Sequence, residues 1–538
     1  MGRALIFGTQ PVNLSTDPSN VPHYGVFELA LDADPGLSHP IFDVTFSVTF
    51  TRPDGSTVTT EGFFDGCNRY RARAYGDQAG EWRWNSRSSL SGLNGHSGTF
   101  TVHPSSLKGQ LQRHPNDPHQ FAYADGTWFL HIGDTGYRFV VDLEPEWQAY
   151  IDQAASAGFT KIRTWFCRGR SDVQALFTPD RRSLNLPYWQ EIDRRLRYAL
   201  NHHPDLIFKV IPYGEDTGEL RRYGEDPITE WIPRYAQARF SAFPNVTWCI
   251  SNDRQIVGDE EPLEEPGASD APSGMATANA YWGGNRKVRA ATIDRIGEAM
   301  AAREPWGTLL TNHQCRFSGY TFTDAPWSDL ITLEDIDQVH GALIRDYRTR
   351  ANVPVVNDED RYEHYRPPQH PRYFFRRLFW ASLLSGGHVT YGGLRSYETY
   401  DGDAQGIAGY WDAARAGKLT GAHDFRNIHA FFRDSGLTLV GFEPDDSIAG
   451  NDPLRYQCTR TNKAILVYLA NPSGTDPESD DVAGSTPEVA LQLDDRTFAL
   501  RWFDPATAEW FHAPELAGGA HTLTAPGPGD WVLWLQSV

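Results

Sequence analysis

From Ile41 the chain reads IFDVTFSVTF, with Phe42, Val44, Phe46, Val48 and Phe50 alternating with Asp43, Thr45, Ser47 and Thr49. A period of two predicts a half-buried strand, and the turn residues PDGS followed by TVTTEGFF predict its hairpin partner. YRARAYGDQAGEWRWNS and SGTFTVHP continue the pattern to about residue 104, so the first region reads as a small β-sandwich. SSLKGQLQRHPNDPHQ then reads as a linker.

The pattern changes after it. Eight short apolar runs alternate with helical stretches: WFLHIGDT (128–135), FTKIRTWF (159–166), LIFKVIPYG (206–214), VTWCISND (246–253), GTLLTNHQ (307–314), DLITLED (329–335), VPVVNDE (353–359) and HVTYGG (388–393). In the stretch after the first run, Trp147, Tyr150, Ile151, Ala154 and Ala155 fall on one helical stripe, and Gly158 can end it. Eight strands with helical crossovers predict a closed (β/α)8 TIM barrel within an α/β chain. The alternative, a doubly wound open sheet, lacks its Gly-rich turn, because HIGDTGYRF does not have GxGxxG spacing. The last hundred residues return to strands in RYQCTRTNKAILVYLAN, LRWFDPATAEW and GDWVLWLQ. The expected division is a β-sandwich over 1–108, a barrel over 109–435 and a C-terminal β-sandwich over 436–538. GDEEPLEEPGASDAPSG (258–274) and PESDDVAGSTP (477–487) read as solvated loops, and PDDSIAGND (444–452) as a turn rather than a calcium loop, since EF-hand spacing is missing.

Composition narrows the partners. A net charge of −20 over 538 residues argues against a phosphate backbone, which needs a clustered basic face. Aromatic residues make up 13% of the chain, and an acidic, aromatic-rich surface suits neutral polar ligands such as carbohydrates. Cys67, Cys167, Cys249, Cys315 and Cys458 show no CxxC spacing, so reduced thiols are expected rather than a disulfide framework or zinc cluster. Neither a signal-peptide core nor an 18-residue apolar stretch appears, which predicts a chain that is cytoplasmic as written, or secreted if a signal had been removed. No cofactor, metal or membrane partner is expected, and a homo-oligomer is compatible with the sequence.

A TIM barrel carries its chemistry where strands end in polar residues. The candidates are Asp134, Arg163 and Trp165, Tyr213, Asn252 and Asp253, Asn312 and His313, Glu334 and Asp335, Asp358 and Glu359, and Tyr391, in strand order. GxSxG, HExxH and P-loop motifs are lacking. Two carboxylates facing each other across the mouth are what glycoside hydrolysis requires, and strands four and seven lie on opposite sides of an eight-membered ring. Asp253 and Glu359 could flank a sugar there. Each also has a structural reading: Asp253 as an ion-pair partner of Arg254 or a helix cap, and Asp358, Asp360 and Glu363 as partners of Arg361. Strand parity allows only one of Asp358 and Glu359 to point inward and does not say which. Trp165, Tyr213, Trp327 and Tyr391 are either packing or stacking residues.

The order of these segments resembles a known family. A sandwich similar to the DUF5060 module, a barrel opening on GDT, then RFSAFPNVTWCISNDRQ, PVVNDEDRYE and RRLFWASLLSGGHVTYGG resemble the apiosidase-like glycoside hydrolases (DUF4038, GH140-type barrel). WFDPATAEW is similar to the small β domain, labelled collagen-binding, that follows those barrels. The resemblance implies Asp253 as general acid/base, Glu359 as nucleophile, a supporting role for Glu363 and a sugar-hydroxyl ligand at Asp134. Asn252, Asn357, Asp358, Asp360 and the segment TNHQCRFS depart from the family pattern, which puts a different glycan within reach. The implied function is a retaining, exo-acting glycosidase with a carbohydrate substrate bound by Asp134, Arg163, Trp165, Tyr213, Asn252, His313, Glu334, Asp358, Glu363 and Tyr391. Asp253 should be held protonated by burial and by the charge of Glu359. The rivals are a non-catalytic carbohydrate-binding or adhesion protein and a metal-dependent hydrolase.

Overall fold

The eight apolar runs become eight parallel strands: β1 (Ile132–Thr135), β2 (Lys161–Trp165), β3 (Ile207–Ile211), β4 (Val246–Cys249), β5 (Leu310–Thr311), β6 (Ile331–Glu334), β7 (Val355–Glu359) and β8 (His388–Tyr391). This computed structural model describes residues 15–538 except 16, 37–38, 141, 143, 145, 167–175, 179, 181, 215–218, 262, 264–286, 317, 364–371, 394–419 and 477–483. Cys167 and most of the two acidic loops lie outside the described residues. The strands bond in the order β5-β4-β3-β2-β1-β8-β7-β6. The parallel bridge between His313 and Thr332 and a 2.5 Å bond from Thr332 Oγ1 to the Asn312 carbonyl join β5 to β6 and close the ring.

Helices α1 (Glu146–Ala157), α2 (Leu186–His202), α3 (Pro227–Phe240), α4 (Ala290–Arg303), α5 (Ala342–Arg350), α6 (Arg372–Leu384) and α7 (Phe425–Ser435) surround the barrel. Helix α1 buries Trp147, Tyr150, Ile151 and Ala154 as its stripe predicts, and Gly158 follows it at φ 93°, a conformation that favours glycine. Helix α6 is buried on all its faces from Tyr373 to Leu384, because the barrel covers one side and the C-terminal sheet the other. Its Arg376 bonds Asp424 at 2.7 Å and Asp530 of the C-terminal region at 2.9 Å.

The segment expected to be a linker is folded. Leu111–His114 pairs with Asp117–Tyr123, which pairs in turn with Trp128–Phe129. Leu111, Phe121, Tyr123 and Phe129 pack on Ile207, Leu309, Leu330 and Val356, so this sheet seals the N-terminal end of the barrel. Polar outer positions and Pro115 hid the strand, whose apolar partners lie in the following FAY. The run 128–135 accordingly splits into a floor strand and β1.

Before the barrel, a five-stranded and a three-stranded sheet pack around Val48, Phe50, Ala72, Trp82 and Phe100. The predicted hairpin forms between Phe46–Thr51 and Thr57–Glu61, but Pro40–Asp43 makes a helical turn instead of extending it. Pro40 supplies the φ that a first helical position needs. This module docks on the barrel through buried charges: Asp193 of α2 receives Arg73 at 2.6 Å and Arg239 of α3 at 2.8 Å, while Glu28 receives Arg73 and Arg197, both at 2.8 Å. Burial would raise the carboxyl of Asp193, yet Arg73, Arg239 and Arg197 hold it well below its usual range. Asp193→Asn removes the charge between two buried guanidiniums and is expected to lower stability by about 2 to 3 kcal/mol. Urea denaturation followed by tryptophan fluorescence would show an unchanged midpoint if the network were inert.

The C-terminal region forms a six-stranded antiparallel sheet and a two-stranded one, with the hairpin Tyr456–Arg460 to Ala464–Leu469 as the sequence predicts. Asp446 in the stretch 444–452 accepts the Cys458 amide at 2.8 Å and pairs with Arg345 at 3.0 Å, which makes the stretch a turn. Among the described residues, Cys67, Cys249, Cys315 and Cys458 form no disulfide. No helix among the described residues is long and apolar enough to cross a membrane.

Candidate active site

Strand parity sorts the barrel residues into two sets. On β8, His388 and Thr390 face the lumen and Val389 and Tyr391 face the helices; on β2, Lys161, Arg163 and Trp165 face inward. On β7 the alternation is broken. Leu333 pairs with Asn357 but Glu334 pairs with Glu359, so Asp358 is the extra residue of a β-bulge. A bulge re-aims the side chains around it. Asp358 and Glu359 are therefore both inside the barrel, at different depths, and the expectation that only one could point inward is corrected.

Asp358 lies in the lumen, fully buried. Lys209 of β3 is in direct contact with its Oδ2, Thr390 donates to Oδ1 at 2.9 Å, and Arg163 is 3.7 Å away. Glu359 lies above it and accepts from Arg163 Nη2. The same nitrogen is bonded to Tyr137 and lies 3.2 Å from the Tyr362 hydroxyl. Burial alone would raise the Glu359 carboxyl and the Asp253 charge adds to that, but Arg163 and His313 hold it below its ordinary value. Glu359 is thus kept as a carboxylate.

Across the mouth, Asp253 follows β4 with φ 49°, a left-handed conformation that aspartate tolerates better than most side chains. That turn lets two neighbours both serve the mouth: Asn252 Oδ1 accepts from the Tyr137 hydroxyl at 3.0 Å, and Asp253 Oδ1 is 3.0 Å from His313 Nε2. His313 Nε2 is also 3.5 Å from Glu359 and 3.8 Å from Glu334. Glu334 accepts from Arg316 Nε at 3.1 Å. Asp253, His313, Glu334 and Glu359 each contribute an atom to a group whose members lie within 4.8 Å of one another. One imidazole and three carboxylates could hold a divalent cation, but guanidiniums already neutralise Glu334 and Glu359.

Residues 116–438 match the family described as "Apiosidase-like, catalytic domain", and residues 20–89 match DUF5060, a domain of unknown function. The chain belongs to the apiosidase-like family. No curated protein sequence matches it. A candidate glycoside hydrolase of Bacteroides vulgatus superposes with a TM-score of 0.73 at 19% identity, covering 97% of this chain and 100% of its own. A protein described as a glycoside hydrolase gives 0.61 at 15% identity, over 80% of this chain and 97% of its own. A family 5 glycoside hydrolase of Bacteroides vulgatus gives 0.59 at 16% identity, over 80% and 94%. The apiosidase-like barrel and the added β sheets are thus a recurrent architecture.

Of the residues expected in this apiosidase-like site, the structure gathers Arg163, Trp165, Asn252, Asp253, His313, Glu334 and Glu359 around one mouth. Trp165 stacks face to face on Tyr137 with centroids 3.9 Å apart, so it supports the wall. Others are placed elsewhere. Asp134 points outward on β1 and accepts from Tyr150 of α1 at 2.8 Å; burial pushes its carboxyl well above the usual range. Tyr391 also faces outward, between Phe159, Phe375 and Phe425. Its hydroxyl donates to Glu363, which further accepts the amides of Thr420 at 2.7 Å and Gly421 at 2.8 Å and thereby anchors a loop. Tyr213 bonds the Thr229 carbonyl at 2.8 Å against α3, and Trp327 bonds Asp294 of α4 at 3.0 Å. Asp360 accepts the amides of Asp337, Gln338 and Arg361, and burial raises its carboxyl to about 6. The expectation that Asp134, Tyr213, Glu363 and Tyr391 line the pocket is therefore corrected: strand parity or loop bonding turns them away. Asp358 is also corrected, from a sugar ligand to a buried partner of Lys209.

Sequence reading missed Tyr137, Tyr362 and Arg316. Tyr362 lies within PVVNDEDRYE and Tyr137 stands two residues past GDT, so both carry the signal of a motif. Arg316 sits three residues past β5's His313 and has no periodicity to reveal it.

Proposed function

We propose that this apiosidase-like chain is a retaining, exo-acting glycosidase in which Asp253 is the acid/base and Glu359 the nucleophile. The observation that carries the reading is the approach of Asp253 and Glu359 oxygens to within 4.8 Å. Retaining pairs stand about 5 to 5.5 Å apart and inverting pairs about 6.5 to 9.5 Å, which leaves room for a water. The approach of these two carboxylates falls on the retaining side of that division.

In the first half-reaction Glu359 attacks the anomeric carbon while Asp253 gives its proton to the departing glycosidic oxygen. In the second, Asp253 takes a proton from water as that water displaces Glu359. Arg163 and His313 hold Glu359 ionised, Tyr137 and Tyr362 brace the Arg163 guanidinium, and Asn252, Glu334 and Arg316 are polar groups available at the same mouth for sugar hydroxyls. Carbohydrate as the substrate follows from this chemistry and from the family.

A panel of aryl pentosides and hexosides tests the reading. Release of a monosaccharide whose anomeric configuration matches the substrate, followed by NMR in the first minutes, is the expected result. Inversion would reject the nucleophile, oligosaccharide products would reject exo action, and retardation in affinity gels without release would favour a binding protein. Asp253→Ala should slow phenyl glycosides by about 10² to 10⁴-fold, whereas 2,4-dinitrophenyl glycosides, whose leaving group needs no proton, should lose far less.

A further inference from the structure

Tyr137 opens the helical turn Tyr137–Val140 that follows β1, and neighbours from β2 fix its ring. Trp165 stacks on it with centroids 3.9 Å apart and planes 10° from parallel, the Arg163 guanidinium lies 5.1 Å from the ring centroid, and the residue is 3% exposed. A hydroxyl held in that place has one proton to give and lone pairs to accept with. Arg163 Nη2 is bonded to it, and a guanidinium can only donate, so the Tyr137 oxygen accepts from Arg163. The Tyr137 proton is left for Asn252 Oδ1 at 3.0 Å. Polarity is thereby forced along the chain: Arg163 donates to Glu359 and to Tyr137, and Tyr137 donates to Asn252, which must present its amide oxygen. A charged donor at the head of such a chain strengthens the bonds that follow.

Asn252 is fully buried and directly precedes Asp253, whose φ of 49° marks a left-handed turn. The backbone around that turn is tied to adjoining parts of the barrel wall. The Ser251 carbonyl accepts the His313 amide at 3.3 Å and the Arg254 carbonyl accepts the Cys315 amide at 3.0 Å, both past β5, while Arg254 Nη2 donates to the Gly214 carbonyl past β3 at 2.8 Å. Tyr137 comes from the end of β1, three places away in the ring, so its bond reaches across the mouth. Among the described residues, Tyr137 is the one hydrogen-bond partner of the Asn252 side chain.

We infer that Tyr137 is a positioning residue for the acid/base: its hydroxyl ties the turn that carries Asp253 to the arginine that holds Glu359. The inference rests on the glycosidase reading above and deepens it. A shift of that turn relative to Glu359 would break the bond to Asn252 or the bond to Arg163, and either break leaves a buried polar atom without its partner. The approach of the Asp253 and Glu359 oxygens to within 4.8 Å is thus held by side chains as well as by the barrel backbone. Phenylalanine at position 137 would keep the stack on Trp165 but give Asn252 no donor. Arg163 would still hold Glu359 and lie 3.2 Å from the Tyr362 hydroxyl, so the nucleophile stays braced while the acid/base turn is released. The loss should therefore fall on proton transfer to the leaving oxygen.

The test compares wild type with Tyr137→Phe on matched phenyl and 2,4-dinitrophenyl glycosides of the sugar released fastest in the aryl panel. The expected result is a loss in kcat/KM of about 10 to 10²-fold on the phenyl glycoside and under about threefold on the dinitrophenyl one, a dependence that a purely structural role would not produce. In an Asn252→Ala background the same substitution should cost under about twofold more, because the group it acts through is gone. If Tyr137→Phe does not fold by circular dichroism, Asn252→Ala alone should show the dependence on leaving group. Equal losses on both substrates with the variant used, no loss on either, or a full loss that persists in the Asn252→Ala background would overturn the inference. Asp253→Ala, run in parallel, separates the two readings. Dependence on leaving group there but not in Tyr137→Phe rejects the inference alone, and its absence in Asp253→Ala rejects the acid/base assignment and the inference with it.

Discussion

Glu359→Gln is expected to abolish turnover, with kcat/KM falling on the order of 10⁴-fold or more on every glycoside that the wild type cleaves. The amide is nearly isosteric and can still accept from Arg163, so the mouth keeps its shape. What it cannot do is attack carbon, because its oxygen carries no full charge and its nitrogen lone pair is delocalised. Loss on good and poor leaving groups alike separates this variant from Asp253→Ala, since the nucleophile is needed whatever departs. The thermal midpoint should move by only a few degrees, which distinguishes lost chemistry from lost folding. Near-wild-type rates on any substrate in the panel would reject Glu359 as nucleophile.

Lys209→Met is expected to destabilise the protein by about 3 to 5 kcal/mol, the usual penalty for removing one partner of a buried ion pair. Lys209 and Asp358 are both enclosed in the barrel lumen, with side-chain exposures of 1% and 0%. Methionine fills the volume of the lysine stem but leaves Asp358 with Thr390 at 2.9 Å and more distant contacts to Arg163 and His313. The carboxylate must then take up a proton or remain an uncompensated charge. Adding Asp358→Asn keeps the Thr390 bond and removes the charge, so the double variant should recover at least about half of the loss. Guanidinium denaturation of the four proteins gives the coupling directly. Additive effects would show that the two side chains do not depend on each other.

The extent to which these features can be read from sequence differs by element. Asp253 and Glu359 are legible because each ends an apolar run, and Arg163 because it is a charge near the end of one, and a parallel barrel places such ends on one face. Tyr213 and Tyr391 carry the same mark and do not reach the mouth. Parity turns Tyr391 toward Phe159 and Phe425, and Tyr213 packs against α3. The floor sheet at Leu111–Tyr123 was hidden for the converse reason: its strands are too short and polar to announce themselves, and they form only because the open end of the barrel offers apolar residues to cover.

PVVNDEDRYE holds both sides of the contrast. The hydrophobic pattern by itself fixed a seventh strand, its direction and the point where it meets the mouth, because period and polarity are local properties that each segment carries wherever it folds. Which acid reaches the mouth was decided by the tertiary structure. The bulge at Asp358 depends on the register against β6, and that register brings one carboxylate down to Lys209 and the next up to Arg163. Charge compensation between residues far apart in sequence has no local signature. It exists only once the barrel closes and excludes the water that would otherwise screen it.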